Sequence, residues 1–287
     1  MSRTTLAFGD FPAEFSRPER ARIIILPVPF DRTSSWLKGS DRGPAAILEA
    51  SPNLEFYEIE TGTEVFRHGI FTDAAILASS TTEMVEKVSS RVRGHLERQK
   101  FVVVLGGEHT VTVGAVKAVA EVFGNDVGLL QLDAHTDLRD SYLGDALSHA
   151  CAMARAREYL PNLVSVGIRS MDRSELPQLQ QENVFFASDI CRRGDWVPEV
   201  VARLPERVYI TIDLDVFDPA YVPSTGTPEP GGLDWYAVLA LLRAVAAQRR
   251  VVGFDVVELC PSEHKASDFL AAKLVYMLLS YVFIQHG

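Results

Sequence analysis

Cysteine is scarce in this 287-residue chain: Cys151, Cys191 and Cys260 stand far apart, and none forms a C-x-x-C pair. An odd, scattered set supports neither a disulfide framework nor a structural zinc site, and a reducing cytoplasm is the expected compartment. Long apolar runs are missing as well. The most apolar stretch, Leu274–Ile284, has eleven residues and includes Ser280; it is too short to span a bilayer and reads as a buried C-terminal helix. The first twenty residues, MSRTTLAFGDFPAEFSRPER, are polar and broken by proline, unlike a secretory leader. Positive charge is the minority sign, with 28 Lys and Arg against 38 Asp and Glu for a net −10. Phosphate backbones and anionic lipid would be repelled, so neither nucleic acid nor membrane is an expected partner. The same balance suits a cationic substrate. Internal repeats, low-complexity tracts and linkers are also absent. The Pro/Gly-rich GTPEPGG at 226–232 lies close between a strand and a helix and reads as a loop.

What the chain has instead is alternation. Val- and Ile-rich runs at Arg22–Val28, Phe101–Leu105, Gly128–Leu132, Leu163–Ile168, Val184–Ala187, Val208–Leu214 and Val251–Val257 are strand-length and flanked by Gly, Pro or Asp. Each is apolar on both faces, as a central strand of a parallel sheet must be when helices cover it on both sides. Longer amphipathic stretches fall between them. One opens on Ser80-Thr-Thr-Glu83, a capping-box spacing, and runs to about Gln99; others cover Thr110–Phe123, His149–Tyr159, Asp234–Gln248 and Asp268–Ile284. The pattern predicts one doubly wound α/β domain over residues 1–287, with 1–20 as an N-terminal extension. Ligands of such folds bind beyond the carboxyl ends of the strands.

Three strand ends carry metal-ligand residue types. Phe101–Leu105 runs into Gly106-Gly-Glu-His109, Gly128–Leu132 into Asp133-Ala-His-Thr-Asp137, and Val208–Ile212 into Asp213-Leu-Asp215. Residues two apart on extended chain project to one side, so Asp133 and His135 point together, as do Asp213 and Asp215, and Asp137 continues the series. Four carboxylates gathered at one spot repel and seek protons unless cations neutralise them. Oxygen with imidazole suits Mn²⁺ better than the thiolate-seeking metals, and two ions sharing one activated water is the usual arrangement. Asp133 and Asp213 open their clusters and are the expected bridges. Glu258 ends the strand Val251–Val257 and points to the same crevice; His149 heads a helix a dozen residues past the metal cluster. On local sequence alone, Glu258 reads equally as a helix-start or loop carboxylate, and His149 reads first as a helix-capping or packing histidine. Cys151, two residues past His149, lacks a third orienting group and reads as a buried thiol. His68, His95, His264 and His286 have no convergent partners in sequence.

Together these segments resemble the ureohydrolase family of arginases and agmatinases. The resemblance spans most of the chain: DRGPAAILEAS at 41–51, GGEHT at 106–110, DAHTDLRD at 133–140, SHA at 148–150, GIRSMD at 167–172, DLDVFDPAYVPSTGTPEPGG at 213–232 and DVVEL at 255–259. It implies a three-layer α/β/α domain with a mainly parallel eight-stranded sheet and two Mn²⁺ per subunit. By motif match, His109 and Asp137 bind one ion, His135 and Asp215 the other, and Asp133 and Asp213 touch both. The resemblance also implies that Glu258 grips the guanidinium, that Thr227 hydrogen-bonds it, that Asp137 orients the attacking water and that His149 shuttles a proton. Relatives form trimers and hexamers, so a homo-oligomer is implied.

The expected substrate is agmatine, hydrolysed to putrescine and urea. The segment Leu138–Ser148 is short and lacks the Asn with which arginases grip a substrate carboxylate, offering Arg139 against Asp140 and Asp145 instead. Asp172 and Glu175 stand in register with family residues near the substrate's distal amine and match a cationic tail. Two departures from the commonest agmatinase pattern, Ala150 after His149 and Cys260 before Pro261, leave N1-aminopropylagmatine a competing substrate, with guanidinobutyrate and arginine behind. Outside the class, a zinc deacetylase would not present both His109 and the full DAHTD set. A non-catalytic metal-binding regulator would leave His149 and Glu258 unexplained.

Overall fold

A computed structural model describes residues 6–284. The Val- and Ile-rich runs form β1 (Ile23–Val28), β3 (Phe101–Gly106), β4 (Gly128–Leu132), β5 (Asn162–Ile168), β6 (Val184–Phe186), β7 (Arg207–Asp213) and β8 (Arg250–Val257). An eighth strand, β2 (Ile70–Thr72), has only three residues at the sheet edge and gives too short a signal to read from sequence. The order across the sheet is β2-β1-β3-β8-β7-β4-β5-β6, and every pairing is parallel. Pro27 lies inside β1 without harm to the ladder. Its carbonyl accepts from Ile76 N–H on the side where β2 has already ended, so the missing donor is not needed there.

Helices cover both faces, giving three layers. On one side lie α2 (Thr81–Leu96), α3 (Val111–Phe123) and the short α4 (Ala152–Ala156), packed against Leu26, Val104, Leu129 and Tyr209. On the other lie α1 (Gly43–Ala50), α6 (Trp196–Arg203), α7 (Trp235–Gln248) and α8 (Ala266–Val282), over Ile25, Val103, Leu130 and Ile212; a single turn, α5 (Ala187–Ile190), follows β6. Each such fully buried aliphatic side chain contributes roughly 1.5–3 kcal/mol by leaving water. The helix α8 takes up most of the apolar C-terminal stretch, with Leu274, Val275, Tyr276, Leu278 and Leu279 fully buried. No helix among the described residues is long and apolar enough to cross a membrane.

Three local expectations change. The Ser80 capping box is half formed: its Oγ accepts from Glu83 N–H, but the Glu83 carboxylate reaches back to Ser79 rather than to Ser80. The helix expected over His149–Tyr159 is a 3₁₀ turn at His149–Cys151 followed by α4. The stretch before residue 21 is part of the body, with Phe8 and Phe11 in the main core and Phe11 stacked on Phe66.

Candidate dinuclear metal site

Four neighbouring strands at the middle of the sheet, β3-β8-β7-β4, deliver the chemistry at their carboxyl ends. The chain passes from β3 to β4 across the later pair β8 and β7, so the site sits where the winding direction reverses. β3 supplies His109, β8 supplies Glu258, β7 supplies Asp213 and Asp215, and β4 supplies Asp133, His135 and Asp137. The Gly106-Gly107 turn is needed because the chain crosses the end of β1 closely. A Cβ on Gly107 would lie 2.0 Å from the Phe30 carbonyl oxygen.

Backbone amides hold the carboxylates in place. Asp133 Oδ1 accepts from His135 N–H at 2.6 Å, Asp213 Oδ1 from Asp215 N–H at 2.9 Å, and Asp215 Oδ1 from Ala134 N–H at 2.9 Å. Their other oxygens face inward. Two triplets of ligand atoms result, His109–Asp133–Asp137 and Asp133–His135–Asp215, with Asp133 common to both. Asp213 joins the first through Oδ2, 3.4 Å from His109 Nδ1. Of the two expected bridging residues, Asp133 is the one whose two oxygens reach both imidazoles, at 3.2 Å from His109 and 3.7 Å from His135.

One atom in particular shows that the residues fit a pair of divalent ions. His109 Nδ1 is buried without a hydrogen-bond partner among the described residues, although oxygens of Asp137, Asp133 and Asp213 surround it at 3.1, 3.2 and 3.4 Å. Burial disfavours a charge on His109, but these carboxylates outweigh it and raise its proton affinity well above the usual histidine range. For His135 burial again opposes, and Asp215 and Asp133 push it up to about 12. Burial, then Asp215 and Asp133, raises Asp213 well above the carboxylate range; burial takes Asp137 up to about 6 against the pull of His109. A cluster this eager for protons is short of positive charge, and dications supply it while displacing the protons.

Behind the ligands lies a buried polar chain that the sequence reading missed. His109 Nε2 is 2.9 Å from Thr211 Oγ1, whose own hydrogen goes to Asp255 Oδ1 at 2.6 Å; Tyr209 OH donates to Asp255 Oδ2 at 2.8 Å. With its hydrogen so committed, Thr211 accepts from Nε2–H and turns the Nδ1 lone pair toward the carboxylates. Burial pushes Asp255 up to about 6 despite the Thr211 bond. On the β4 side, Gln131 Nε2 donates to Asp133 Oδ2 and to the His135 carbonyl, and Ser165 fixes its amide oxygen. The available signal was a polar residue inside a strand buried on both faces, which needs a partner.

A cleft of about 200 Å³ opens onto the cluster. His149, Glu258, Thr227 and Asp137 line it, as do Ala150, Trp36 and Tyr142. Glu258 is buried and sits at φ +64°, and Asp137 at φ +51°; both are left-handed, an unusual state for side chains other than Gly and Asn. Burial, then the charge of Glu108, raises Glu258 well above its ordinary range. His149 is brought in from its 3₁₀ turn, its ring edge-on to Tyr142. Asp172 and Glu175 line the outer wall, but each already has work. Asp172 caps a 3₁₀ turn through Ser174, while buried Glu175 accepts from Thr136, Leu138 N–H and Asp172 N–H. Arg139 turns to these two, at 3.7 Å from each, and not to Asp140 or Asp145 as its sequence neighbourhood suggested.

Other candidates fall away from the centre. Burial, then Asp137, pushes the Cys151 thiol up to about 11, which leaves it a poor nucleophile. Cys260 is buried against the Leu37 carbonyl and does not line the cleft. His95 has a partner after all, Asp73 at 2.8 Å in a partly buried pair, and His68 lies against Arg22 and Phe283. His286 lies outside the described residues. Arg169, within GIRSMD, clamps the loops that carry Asp215 and Thr227 by donating to the carbonyls of Asp215 and Glu229 at 2.6 and 2.7 Å.

Comparison with known proteins agrees with this geometry. The model of the arginase family matches residues 21–280. The chain is 38% identical over 292 residues to N(1)-aminopropylagmatine ureohydrolase of Synechocystis, spanning 96% of this chain and 95% of that one. It is 40% identical over 286 residues to the Thermus thermophilus protein of the same name, spanning 98% and 96%. Among solved structures it is similar to agmatine ureohydrolase of Thermoplasma volcanium, with a TM-score of 0.84 and 36% identity across 92% of this chain and 90% of that one. The chain therefore belongs to the arginase family and is a ureohydrolase, a hydrolase of guanidino C–N bonds.

Proposed function

We propose that this ureohydrolase removes urea from a guanidino-capped linear polyamine, N1-aminopropylagmatine ahead of agmatine, with two Mn²⁺ ions per subunit. The observation that carries the guanidino end is the posture of Glu258. Its Oε1 accepts from His109 N–H at 2.7 Å, whereas Oε2 accepts no hydrogen bond among the described residues. A planar guanidinium stays charged at accessible pH and presents paired N–H groups to such a carboxylate. Gly226 leaves room beside it: even a Cβ there would stand 3.6 Å from Oε2.

The residues that would hold the ions are His109 and Asp137 for one and His135 and Asp215 for the other, with Asp133 and Asp213 between them. When bound, such a pair makes hydroxide available near neutral pH. Glu258 and Thr227 hold the guanidinium carbon facing the cluster. Asp137 orients the attacking oxygen through its proton, and His149 gives a proton to the alkyl nitrogen as its bond to that carbon breaks. Water and a guanidinium thus become urea and an alkylammonium.

The outer wall and the relatives support the reading of the tail. The Asp172 side chain is 43% exposed and only loosely approached by Arg139 at 3.7 Å, so it is free to meet an outer ammonium group, with Glu175 bracing its backbone. The two relatives named for N1-aminopropylagmatine support the longer polyamine. The Thermoplasma structure supports agmatine as the second reading. Urea release with Mn²⁺ across aminopropylagmatine, agmatine, arginine and guanidinobutyrate tests this. The highest kcat/KM is expected for aminopropylagmatine, with arginine and guanidinobutyrate far below; urea from none of them would overturn the proposal.

A further inference from the structure

Glu108 is the one charged residue of the GGEH turn that the chemistry above leaves without a task, and it is fully buried. Its Oε2 accepts from the backbone N–H groups of Arg32 and Thr33 at 2.7 and 2.6 Å, and its Oε1 accepts from Thr33 Oγ1 at 3.0 Å. Burial raises Glu108 above the ordinary carboxylate range, but three donors converge on its two oxygens and pull the other way, and their geometry makes both oxygens acceptors. Thr33 is therefore a donor to Glu108, and its oxygen is left to accept. Two groups of His149 face that oxygen: the backbone N–H at 2.8 Å and ring Nδ1 at 3.3 Å. Ser148 Oγ, also 3.3 Å from Nδ1, has no other partner among the described residues and can accept from it as well. On the far side of the ring, Nε2 lies 3.4 Å from Ser35 Oγ, at the cleft.

The direction of this chain decides the chemistry of the ring. An accepting Thr33 wants hydrogen on Nδ1, which leaves the Nε2 lone pair toward the cleft. When Nε2 takes up a proton the ring becomes an imidazolium, and the Nδ1–H side already faces a hydroxyl backed by a carboxylate. The proton gained at Nε2 is the one passed to the departing amine, and Nδ1–H stays throughout.

We infer that Glu108 and Thr33 are positioning residues for His149, fixing its tautomer and supporting its charged form through one relayed hydrogen bond. The inference rests on His149 being the proton carrier proposed above. The residues come from separate places: the loop after β1, the turn after β3 and the start of the 3₁₀ turn after β4. Only the fold joins them.

The test uses the Mn²⁺-loaded enzyme with aminopropylagmatine and agmatine. Thr33→Val keeps the shape and removes the relay; kcat is expected to fall about 10- to 100-fold, the range for losing an outer hydrogen-bond partner of a working histidine. KM and bound metal are expected to stay within about two-fold, since neither triplet of ligands is touched. Thr33→Ser is expected to restore most of the rate. In Glu108→Gln the new amide donates to Thr33, reverses the relay and drives hydrogen off Nδ1, so kcat falls as in Thr33→Val without loss of metal. The deciding measurement is a double-mutant cycle: Thr33→Val in a His149→Ala background is expected to cost nothing further, because residues acting through one group are not additive. An equal loss in both backgrounds overturns the inference, as does a near-normal kcat in Thr33→Val. Should His149→Ala alone keep near-normal turnover, the reading beneath it fails first, and the cycle shows which of the two is wrong.

Discussion

The deep end of the cleft and its mouth are built by different means. At the deep end Asp133, Asp213, Asp215 and Glu258 are each pinned by a backbone amide, and their surroundings are buried. At the mouth Trp36 is 74% exposed, and Asp172 meets Arg139 across a loose 3.7 Å. Parallel strands fix positions along their whole length, whereas loops fix only what their own turns and caps hold. On the proposed reading, the reaction is set by the sheet and the choice of substrate by the loops that carry Trp36, Arg139 and Asp172.

That contrast predicts a gradient of effects. Asp133→Ala removes the residue common to both triplets; metal content is expected to collapse and urea production to fall by at least about 10³-fold, the scale of losing a charge-stabilising group at the reacting atoms. Retained metal by elemental analysis would break the comparison at its strongest point. Thr211→Val sits one bond further out, and a fall of about 10- to 100-fold in Mn²⁺ affinity by calorimetry is expected, with the fold intact.

His149 lies between the two ends. Burial first, then the charges of His109 and His135, hold its pKa down at about 4. An unfolded histidine titrates near 6.5, so the folded chain takes up this proton less readily. The contribution is fully present above pH ~6.5 and is lost as pH falls toward the folded value. In the presence of chelator, His149→Asn is expected to narrow the stability difference between pH 7.5 and 5 by about 1 kcal/mol, discounted for partial exposure and read from urea unfolding curves. An unchanged difference would mean that the ring titrates freely. The smallest effect belongs to the mouth. Asp172→Asn is expected to raise KM for aminopropylagmatine about two- to five-fold, the worth of an exposed ion pair, with kcat unaltered.

How much of this was legible in the chain follows the same divide. The ligands were legible because each cluster is contiguous and sits where an apolar run ends: Asp133-x-His135-x-Asp137 needs only the alternation of extended chain. The layers were legible because two-sided apolar runs demand helices on both faces. The relay behind His109 was not, since Tyr209, Thr211 and Asp255 come from two strands whose adjacency no local pattern reveals. Thr33 and Glu108 were hidden in the same way, 75 residues apart in sequence. The mouth was the least legible: Arg139 looked to its sequence neighbours, but the structure hands it to Asp172 and Glu175.

The sheet order carries one more consequence, for the birth of the enzyme. β8 is the last strand to be made, yet it is inserted between β3 and β7 at the centre. A chain emerging from the ribosome can pair β1 with β3 and β4 with β5, but the two halves cannot close on each other until residues 250–257 are out. Contacts of such sequence separation form late and slowly. Glu258 arrives with that closing strand, so the carboxylate proposed to grip the guanidinium takes its place in the same event that completes the sheet. A nascent or truncated chain gathers metal-ligand residues at its growing edge without being able to turn over substrate.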